Sequence, residues 1–238
     1  MHLAEMDLLA NTGQSFLHKS GVTSKLIFTI LMLSAIISAN KPGILIFLIA
    51  VLLVMFVLAK VPMLKVLHLA LYPAFFSLLF ALIKFQDSVF AGLTVILKAV
   101  GAALTMILLI STTPYVDIFA CLSVVLPRIL VDIFFFTYRA VFILLEKAEN
   151  LFKSIKLRGG YSPLALLYNF RNVSQMIGAL IIHSFEMGDR MHKIFSLRGF
   201  NGYIHVEVEW FQFNSNDIII VGLGIFILIG TVMPWNPW

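Results

Sequence analysis

An almost uncharged apolar stretch from residue 26 to residue 59 limits what this chain can fold into more than any other feature. Its single charged side chain is Lys41, which lies in an Asn-Lys-Pro-Gly sequence typical of a turn. Each half of the stretch, with Thr23 and Ser24 added to the first, is about as long as a tilted helix that crosses a bilayer. The sequence therefore predicts a hairpin of two membrane-spanning helices.

Three more apolar stretches follow, at residues 66–83, 89–113 and 218–233. Pro73 predicts a kink in the first of them. Lys98 interrupts the second, and we interpret it as a side chain that reaches the membrane interface rather than as a functional charge. Only 12% of the residues are charged, against about 25% in soluble domains. The predicted fold class is an all-α integral membrane protein with about five transmembrane helices plus long cytoplasmic helices.

Residues 1–24 are polar to mixed and predict a short amphipathic segment that lies at the membrane surface. In this interpretation, Lys19 and Lys25 lie near the lipid headgroups. His18 is interpreted as a capping or interfacial residue, because no second ligand lies within helical reach of it.

The basic residues indicate how the spans are oriented. The loop at residues 60–65 carries two lysines, and the positive-inside rule favours the cytoplasm for such a loop. Alternation of the spans then places the N-terminus inside the cell and the C-terminus outside. We accordingly divide the chain into a membrane region of four spans (1–113), a cytoplasmic region (114–216) and a last span (217–238).

Two long helices are predicted within the cytoplasmic region. Residues 128–158 contain neither proline nor glycine, so they can form one helix of about 45 Å. Ser162 as N-cap and Pro163 at the first helical position begin the second helix, which runs to Leu197. A short helix at residues 116–126, ended by Pro127, precedes them.

The first halves of both long helices are apolar enough to leave a second topology open. If residues 129–145 and 164–184 also crossed the bilayer, the chain would have seven spans. Both termini would then lie on the same sides of the membrane as in the five-span topology.

Residues 146–160 and 186–200 carry one pattern twice, with an acidic residue at the start, a lysine in the middle and Leu-Arg-Gly at the end. A repeat of this kind indicates a supersecondary unit that is used twice. The matching residues are Glu146 with Glu186, Lys153 with Lys193, Leu157 with Leu197, Arg158 with Arg198 and Gly159 with Gly199.

Each copy predicts the last turns of a helix. Acidic and basic residues lie four apart, which places them on one helical face. Gly159 and Gly199 then favour the left-handed turn that closes a helix. The simplest interpretation is two capped helices whose cations suit the negative end of the helix dipole. Because the pattern occurs twice, we favour the alternative that Arg158 and Arg198 are presented to a partner outside the bilayer.

No catalytic or metal-binding pattern stands out in the sequence. A phosphate-binding glycine loop and a zinc-protease signature are missing. His183 and Glu186 are neighbours on a helix, but His192 points to the opposite side, so we expect no metal site there. Cys121 is expected to be a small packing residue. Few polar side chains lie in the apolar stretches, which favours a scaffold over a solute carrier and implies no cofactor.

The chain resembles the CbiQ/EcfT family, the transmembrane T component of energy-coupling factor (ECF) transporters. The twin Leu-Arg-Gly motifs correspond to the family's paired Ala-Arg-Gly-type motifs, with leucine in place of alanine, and the proline usual before Lys25 is absent. The remaining positions that carry the resemblance are Asp7, Ala10, Ser15, His18, Lys25, Thr113-Pro114, Asp117, Pro127-Arg128 and Thr137-Tyr138-Arg139.

The resemblance implies a coupling subunit without catalytic activity. Its two motifs would bind two ABC-type ATPase subunits, which hydrolyse ATP and drive a separate substrate-binding membrane subunit, either a CbiM-like metal-binding protein or a vitamin-binding S component. The expected membrane is that of a bacterial or archaeal cell. The expected ATPase-coupling residues are Leu157, Arg158, Gly159, Leu197, Arg198 and Gly199, supported by Glu146, Glu186 and Arg139.

The resemblance is greatest to the cobalt and nickel branch, and a vitamin transporter is the next choice. Any metal would be bound by the partner and not by this chain. A stand-alone carrier or channel is the competing hypothesis, with Lys98, Asp132 and Arg139 along a path through the membrane. These alternatives predict different behaviour of the purified chain.

Overall fold

The computed structural model describes residues 9–86, 88–124, 126–160, 166–200 and 215–232. Regular structure within these ranges is helical, without strands, which confirms the predicted all-α class for this part of the chain. The helices are α1 (Val22–Ser38), α2 (Pro42–Leu58), α3 (Met63–Lys84), α4 (Val89–Thr112), α5 (Tyr115–Leu122), α6 (Arg128–Leu157), α7 (Leu166–Leu197) and α8 (Ser215–Val232).

Helix α4 is long and apolar enough to cross a membrane, with 24 residues and a mean hydropathy of 2.4. Shorter apolar helices accompany it: α1, α2, most of α3 and most of α8. Helices α1 and α2 have 17 residues each, which corresponds to about 26 Å. Large apolar side chains on their outer faces, such as Ile30 and Phe47, are exposed, as expected of helices that face lipid.

The chain forms two compact units, which we describe separately. Unit 1 contains residues 1–121 and 208–238, and unit 2 contains residues 122–207. In unit 1, α4 packs against α1, α2 and α3, and α1 packs against α8. Its core includes the fully buried side chains of Met32 and Phe56. The division into three regions that we drew from the sequence remains a prediction.

Unit 2 is built around α6 and α7, which pack against each other. Helix α6 has 30 residues and α7 has 32, so each is about 45 to 48 Å long. The predicted uninterrupted helix from Arg128 is confirmed, since α6 ends at Leu157 and Arg158 is its C-cap. The predicted start of the second helix at Ser162 and Pro163 lies outside the described residues.

The predicted short helix at residues 116–126 is wrong in its extent. Helix α5 begins at Tyr115 and ends at Leu122, four residues earlier than predicted. A separate turn follows, in which the Leu126 amide donates to the Leu122 carbonyl at 2.9 Å. Pro127 disfavours helical geometry in the residue before it, so the chain leaves the helix ahead of the proline.

Candidate partner-binding site at two helix ends

The end of α6 is a Schellman motif, a helix C-cap closed by two backbone hydrogen bonds. Gly159 has a φ of 71°, in the left-handed region that favours glycine. Its amide donates to the Lys156 carbonyl at 3.2 Å, and the Gly160 amide donates to the Ile155 carbonyl at 2.9 Å. Both bonds satisfy carbonyls that would otherwise have no partner at the helix end.

The end of α7 repeats this geometry. Gly199 has a φ of 77°. Its amide donates to the Ser196 carbonyl at 3.1 Å, and the Phe200 amide donates to the Phe195 carbonyl at 3.0 Å. The prediction that each Leu-Arg-Gly sequence ends a helix at its glycine is therefore confirmed. We call these two helix ends tip 1 (residues 157–159) and tip 2 (residues 197–199).

Each tip presents a leucine and an arginine to the outside. The side chains of Leu157 and Leu197 are 88% and 89% exposed. Arg158 and Arg198 follow them at the C-cap position and are also exposed. Because the left-handed glycine fixes the path of the backbone at the helix end, the position from which the arginine side chain extends is also fixed. A permanently charged guanidinium on a fixed helix end can form paired hydrogen bonds with a carboxylate.

The supporting residues predicted from the sequence lie along the same two helices. Glu146 and Arg139 are exposed on α6, and Glu186 is exposed on α7. The Glu186 Oε2 atom lies 3.8 Å from the Nδ1 atom of His183, one helical turn away. Of the three residues considered for a metal site, His183 and Glu186 are therefore close to each other. No group of three metal-binding side chains occurs in the described ranges.

The two tips lie at opposite ends of one antiparallel helix pair. Beside tip 1, the Asn172 amide near the start of α7 donates to the Gly160 carbonyl at 2.6 Å. Beside tip 2, Phe136 near the start of α6 packs against Phe195 and Phe200 with ring centroids 4.9 and 5.7 Å away. The length of α7 between these contacts corresponds to roughly 35 Å. The two arginines therefore lie at well-separated ends of the helix pair.

An apolar groove of about 410 Å³ runs between α6 and α7. No sequence pattern predicts this groove, because its two walls come from different helices and the register between them depends on packing. The residues that line the groove are Phe136, Thr137, Ala140, Leu144, Ser184, Met187, Gly188, Met191, His192, Phe195 and Phe200.

A buried polar cluster in unit 1 corrects the prediction for Lys25. This side chain is only 5% exposed and does not reach the lipid headgroups. Its ammonium donates to the Thr112 carbonyl at the end of α4, at 2.9 Å. The carboxylates of Asp117 and Asp217 interact with it electrostatically. The last carbonyls of α4 need donors, and a cation suits the negative end of the helix dipole.

Asp217 caps α1 from the other end of the chain. Gly21 is the N-cap of α1 and has no side chain that could accept a hydrogen bond. The Asp217 Oδ1 atom accepts from the Gly21 amide at 2.7 Å and from the Ser24 hydroxyl at 2.8 Å. A buried carboxylate at a helix N-terminus is stabilised by these donors and by the dipole. Our reading of the sequence missed Asp217, since its partners are far away along the chain.

The segment before α1 is also more deeply packed than predicted. Ala10 and Leu17 are buried, and Leu17 belongs to the core of unit 1, so the segment does not simply lie on the membrane surface. An apolar side chain in this segment gains more from the core than from the headgroup region. The ring of His18 is hydrogen-bonded to the Ser15 hydroxyl at 2.6 Å. Burial, together with the Lys25 charge, lowers the pKa of His18.

Lys98 also reaches a helix end. Its ammonium donates to the Ile37 carbonyl in the last turn of α1, at 2.8 Å. The Lys98 ammonium therefore has a hydrogen-bond acceptor within unit 1, a carbonyl near the C-terminus of α1, where a cation also suits the helix dipole.

Apolar helices whose large side chains face outward define this chain as a helical membrane protein. The family model described as cobalt transport protein, CbiQ, matches residues 13–210. The chain therefore belongs to the CbiQ cobalt transport protein family, as the resemblance indicated. The matched range includes both tips.

One curated relative comes from Methanocaldococcus jannaschii and is described as uncharacterized. It is 27% identical over 121 residues, which are 50% of this chain and 44% of the relative. The chain thus matches less than half of the relative's length. This similarity adds no functional information to the family assignment.

Proposed function

We propose that this chain is the transmembrane coupling subunit of an ATP-driven ECF-type importer. In this role it transmits conformational change from ABC-type ATPase subunits to a separate substrate-binding membrane subunit. The observation that carries the proposal is the pair of identically capped helix ends, each with an exposed arginine, at opposite ends of one helix pair. A protein that needed the caps only for stability would not need the same exposed side chains at both.

The geometry of the tips suits the transmission of motion. A helix is stiff along its axis, and the Schellman bonds extend that order to the arginine. The arginine is charged at every physiological pH and binds carboxylates through a planar fork. A displacement of the partner is then passed to the helix rather than absorbed by a loop. Glu146, Glu186 and Arg139 support the two helices in this proposal.

The separation of the tips favours two ATPase subunits over one. Roughly 35 Å lies between the two ends of the helix pair, so the two arginines need separate binding surfaces. One ATPase subunit per tip accounts for the repeat. ATP hydrolysis then takes place in the partners, and this chain contributes neither catalytic residues nor a cofactor.

The same proposal includes the topology derived from the sequence. Five helices span the cell membrane of a bacterium or archaeon, with the N-terminus in the cytoplasm and the C-terminus outside. The region at residues 114–216 is cytoplasmic, so that both tips can reach the ATPases. The basic residues of this region support that side of the membrane.

The proposed cargo is cobalt or nickel, bound by the partner subunit. The name of the family supports cobalt. A vitamin remains the alternative cargo, since the tips interact with the ATPases and not with the substrate. Uptake of radioactive cobalt by cells that express the complete complex, compared with vitamin uptake, distinguishes the two.

A charge reversal at both tips tests the coupling role. We expect Arg158→Glu combined with Arg198→Glu to leave the protein in the membrane but to abolish co-purification with the ATPase subunits, because two carboxylates would then face the acidic partner groups. The matched control is Lys147→Glu combined with Arg190→Glu. It makes the same change of charge at exposed positions within α6 and α7.

The outcome separates three cases. Loss of binding in the tip variant alone supports the proposal. Normal ATPase binding and normal transport in that variant would contradict it. A solute flux through the purified wild-type chain in liposomes, without ATPases, would favour the stand-alone carrier instead.

A further inference from the structure

We infer that the first turn of α1, together with its N-cap, is the point in unit 1 at which both chain connections to unit 2 are fixed. We call this segment, residues 21–25, the α1 anchor. The inference rests on the proposed function and adds the residues through which a movement of the tips would reach the apolar helices. It assigns a positioning role to Gly21, Lys25 and Asp217.

The two connections follow from the order of the units along the chain. The chain passes from unit 1 to unit 2 after residue 121 and returns to unit 1 at residue 208. Both tips lie between these two crossings. A movement of the tips can therefore reach unit 1 along two covalent connections, one through α5 and one into the start of α8. Each connection transmits movement only where a rigid element of unit 1 holds it.

The outgoing connection is held by the α1 anchor at three positions. The Lys25 ammonium donates to the Thr112 carbonyl at the end of α4, at 2.9 Å. It also attracts the carboxylate of Asp117 in the first turn of α5. The side chain of Cys121, the last residue of unit 1 before the crossing, is hydrogen-bonded to that of Thr23. Two side chains of one helical turn thus hold the chain from the end of α4 to the crossing.

The returning connection is held by the same turn. Asp217 lies in the first turn of α8 and is only 4% exposed. Its Oδ1 atom accepts from the Gly21 amide at 2.7 Å and from the Ser24 hydroxyl at 2.8 Å. Its charge also attracts the Lys25 ammonium, so this lysine interacts with both connections.

Capping of α1 alone does not require this arrangement. A serine, threonine, asparagine or aspartate at the N-cap would close the helix locally. Gly21 has the extended backbone of an N-cap, with φ −61° and ψ 145°, but no side chain that could accept a hydrogen bond. A Cβ at this position would lie 3.1 Å from the Asp217 Oδ2 atom, so the glycine leaves room for the distant carboxylate. Ionisable side chains buried in a membrane protein are unfavourable unless paired, and they commonly serve its function.

The test uses the full chain assembled in lipid nanodiscs with its ATPase pair and its substrate-binding subunit. Hydrogen exchange of the tips and of α1 is recorded with and without a non-hydrolysable ATP analogue. In the wild type, we expect the nucleotide to change the exchange of both. Asp217→Leu removes both bonds to the α1 anchor. It should reduce the response of α1 by about half or more, because one of the two connections is released, and leave the response of the tips unchanged.

A second variant separates the anchor from the cap. Gly21→Ser combined with Asp217→Leu gives α1 a local N-cap without the returning connection. This double variant should melt at a higher temperature than Asp217→Leu, while its α1 response stays reduced. The matched control is Leu48→Ala, which removes a fully buried side chain of α2, outside both connections. It should lower the melting temperature but keep the α1 response.

Each outcome decides the inference. A wild-type α1 response in the double variant would mean that Asp217 only caps α1, and the inference would be wrong. Loss of the response in Leu48→Ala would also overturn it, because any destabilisation would then have the same effect. If the tips of the wild-type complex respond to the nucleotide while α1 does not, the inference alone fails. If the tips do not respond either, the proposed function fails with it.

Discussion

The glycine of each tip provides a prediction whose magnitude follows from the structure. Gly159 has a φ of 71°, and a Cβ added to it would meet no atom within 4 Å. The substitution Gly159→Ala therefore causes no steric clash with other side chains. Its cost is that of placing an L-residue in the left-handed region, about 1 to 2 kcal/mol.

This cost should appear in hydrogen exchange at the end of α6. The Gly160 amide is protected by its bond to the Ile155 carbonyl, at 2.9 Å. If the cap opens more easily by about 1 to 2 kcal/mol, this amide should exchange about 5- to 30-fold faster. Gly199→Ala should have the same effect on the Phe200 amide. Exchange measured by mass spectrometry on peptides that cover each tip provides the test.

Two other positions provide matched controls for the sign of the effect. Gly178 lies in the interior of α7, and an added Cβ would again meet nothing within 4 Å. Gly178→Ala should therefore stabilise the helix by about 0.5 to 1 kcal/mol. Lys60 has a φ of 56° at the end of α2, so Lys60→Gly should relieve strain there.

The outcomes that would refute this reasoning are specific. Unchanged exchange of the Gly160 amide in Gly159→Ala would mean that the cap does not depend on the left-handed residue. Faster exchange of the same amide in Gly178→Ala would mean that α7 transmits any perturbation to tip 1. In either case the cap could not be what orients Arg158.

Two further predictions concern the buried polar cluster of unit 1. Lys25→Met should lower the free energy of unfolding by about 3 kcal/mol, because it removes a buried cation while the Asp217 carboxylate remains buried. Lys19→Met, at an exposed position, should change stability little. Thermal unfolding of the two purified variants compares these effects. The lowered pKa of His18, which lies before the first apolar helix, means that the unfolded chain takes up a proton at a higher pH than the folded one. Stability should therefore fall as the pH decreases below about 6.5, and His18→Gln should reduce this dependence in melting curves recorded across that range.

Features that depend on neighbouring residues could be predicted from the sequence. The C-terminal ends of α6 and α7 follow from Leu-Arg-Gly, because a glycine after a helical pattern favours the left-handed residue of a C-cap. The uninterrupted length of α6 follows from the absence of proline and glycine between Arg128 and Arg158. Both predictions use interactions that span only a few residues, so a single sequence was enough.

Features that depend on packing could not be predicted in this way. The contact between Gly21 and Asp217 joins residues that are 196 positions apart. Nothing near Lys25 indicates that the end of α4 will lie beside it. A lysine at the start of an apolar stretch is commonly found near lipid headgroups. Burial is more favourable for Lys25 because the C-terminal end of α4 packs beside it and offers a carbonyl acceptor.

The two tips differ in how they are held, and this difference identifies the part of the repeat that matters. Next to tip 1 the chain continues with Gly160, whose carbonyl is bound by Asn172. Next to tip 2 it continues with Phe200, whose ring lies 6.0 Å from that of Phe195. Unrelated anchors thus support the same exposed leucine, arginine and left-handed glycine. Since the anchors vary while the exposed residues do not, this difference supports the proposal that the shared requirement lies on the outer surface, where a partner would bind, rather than in the stability of the helix pair.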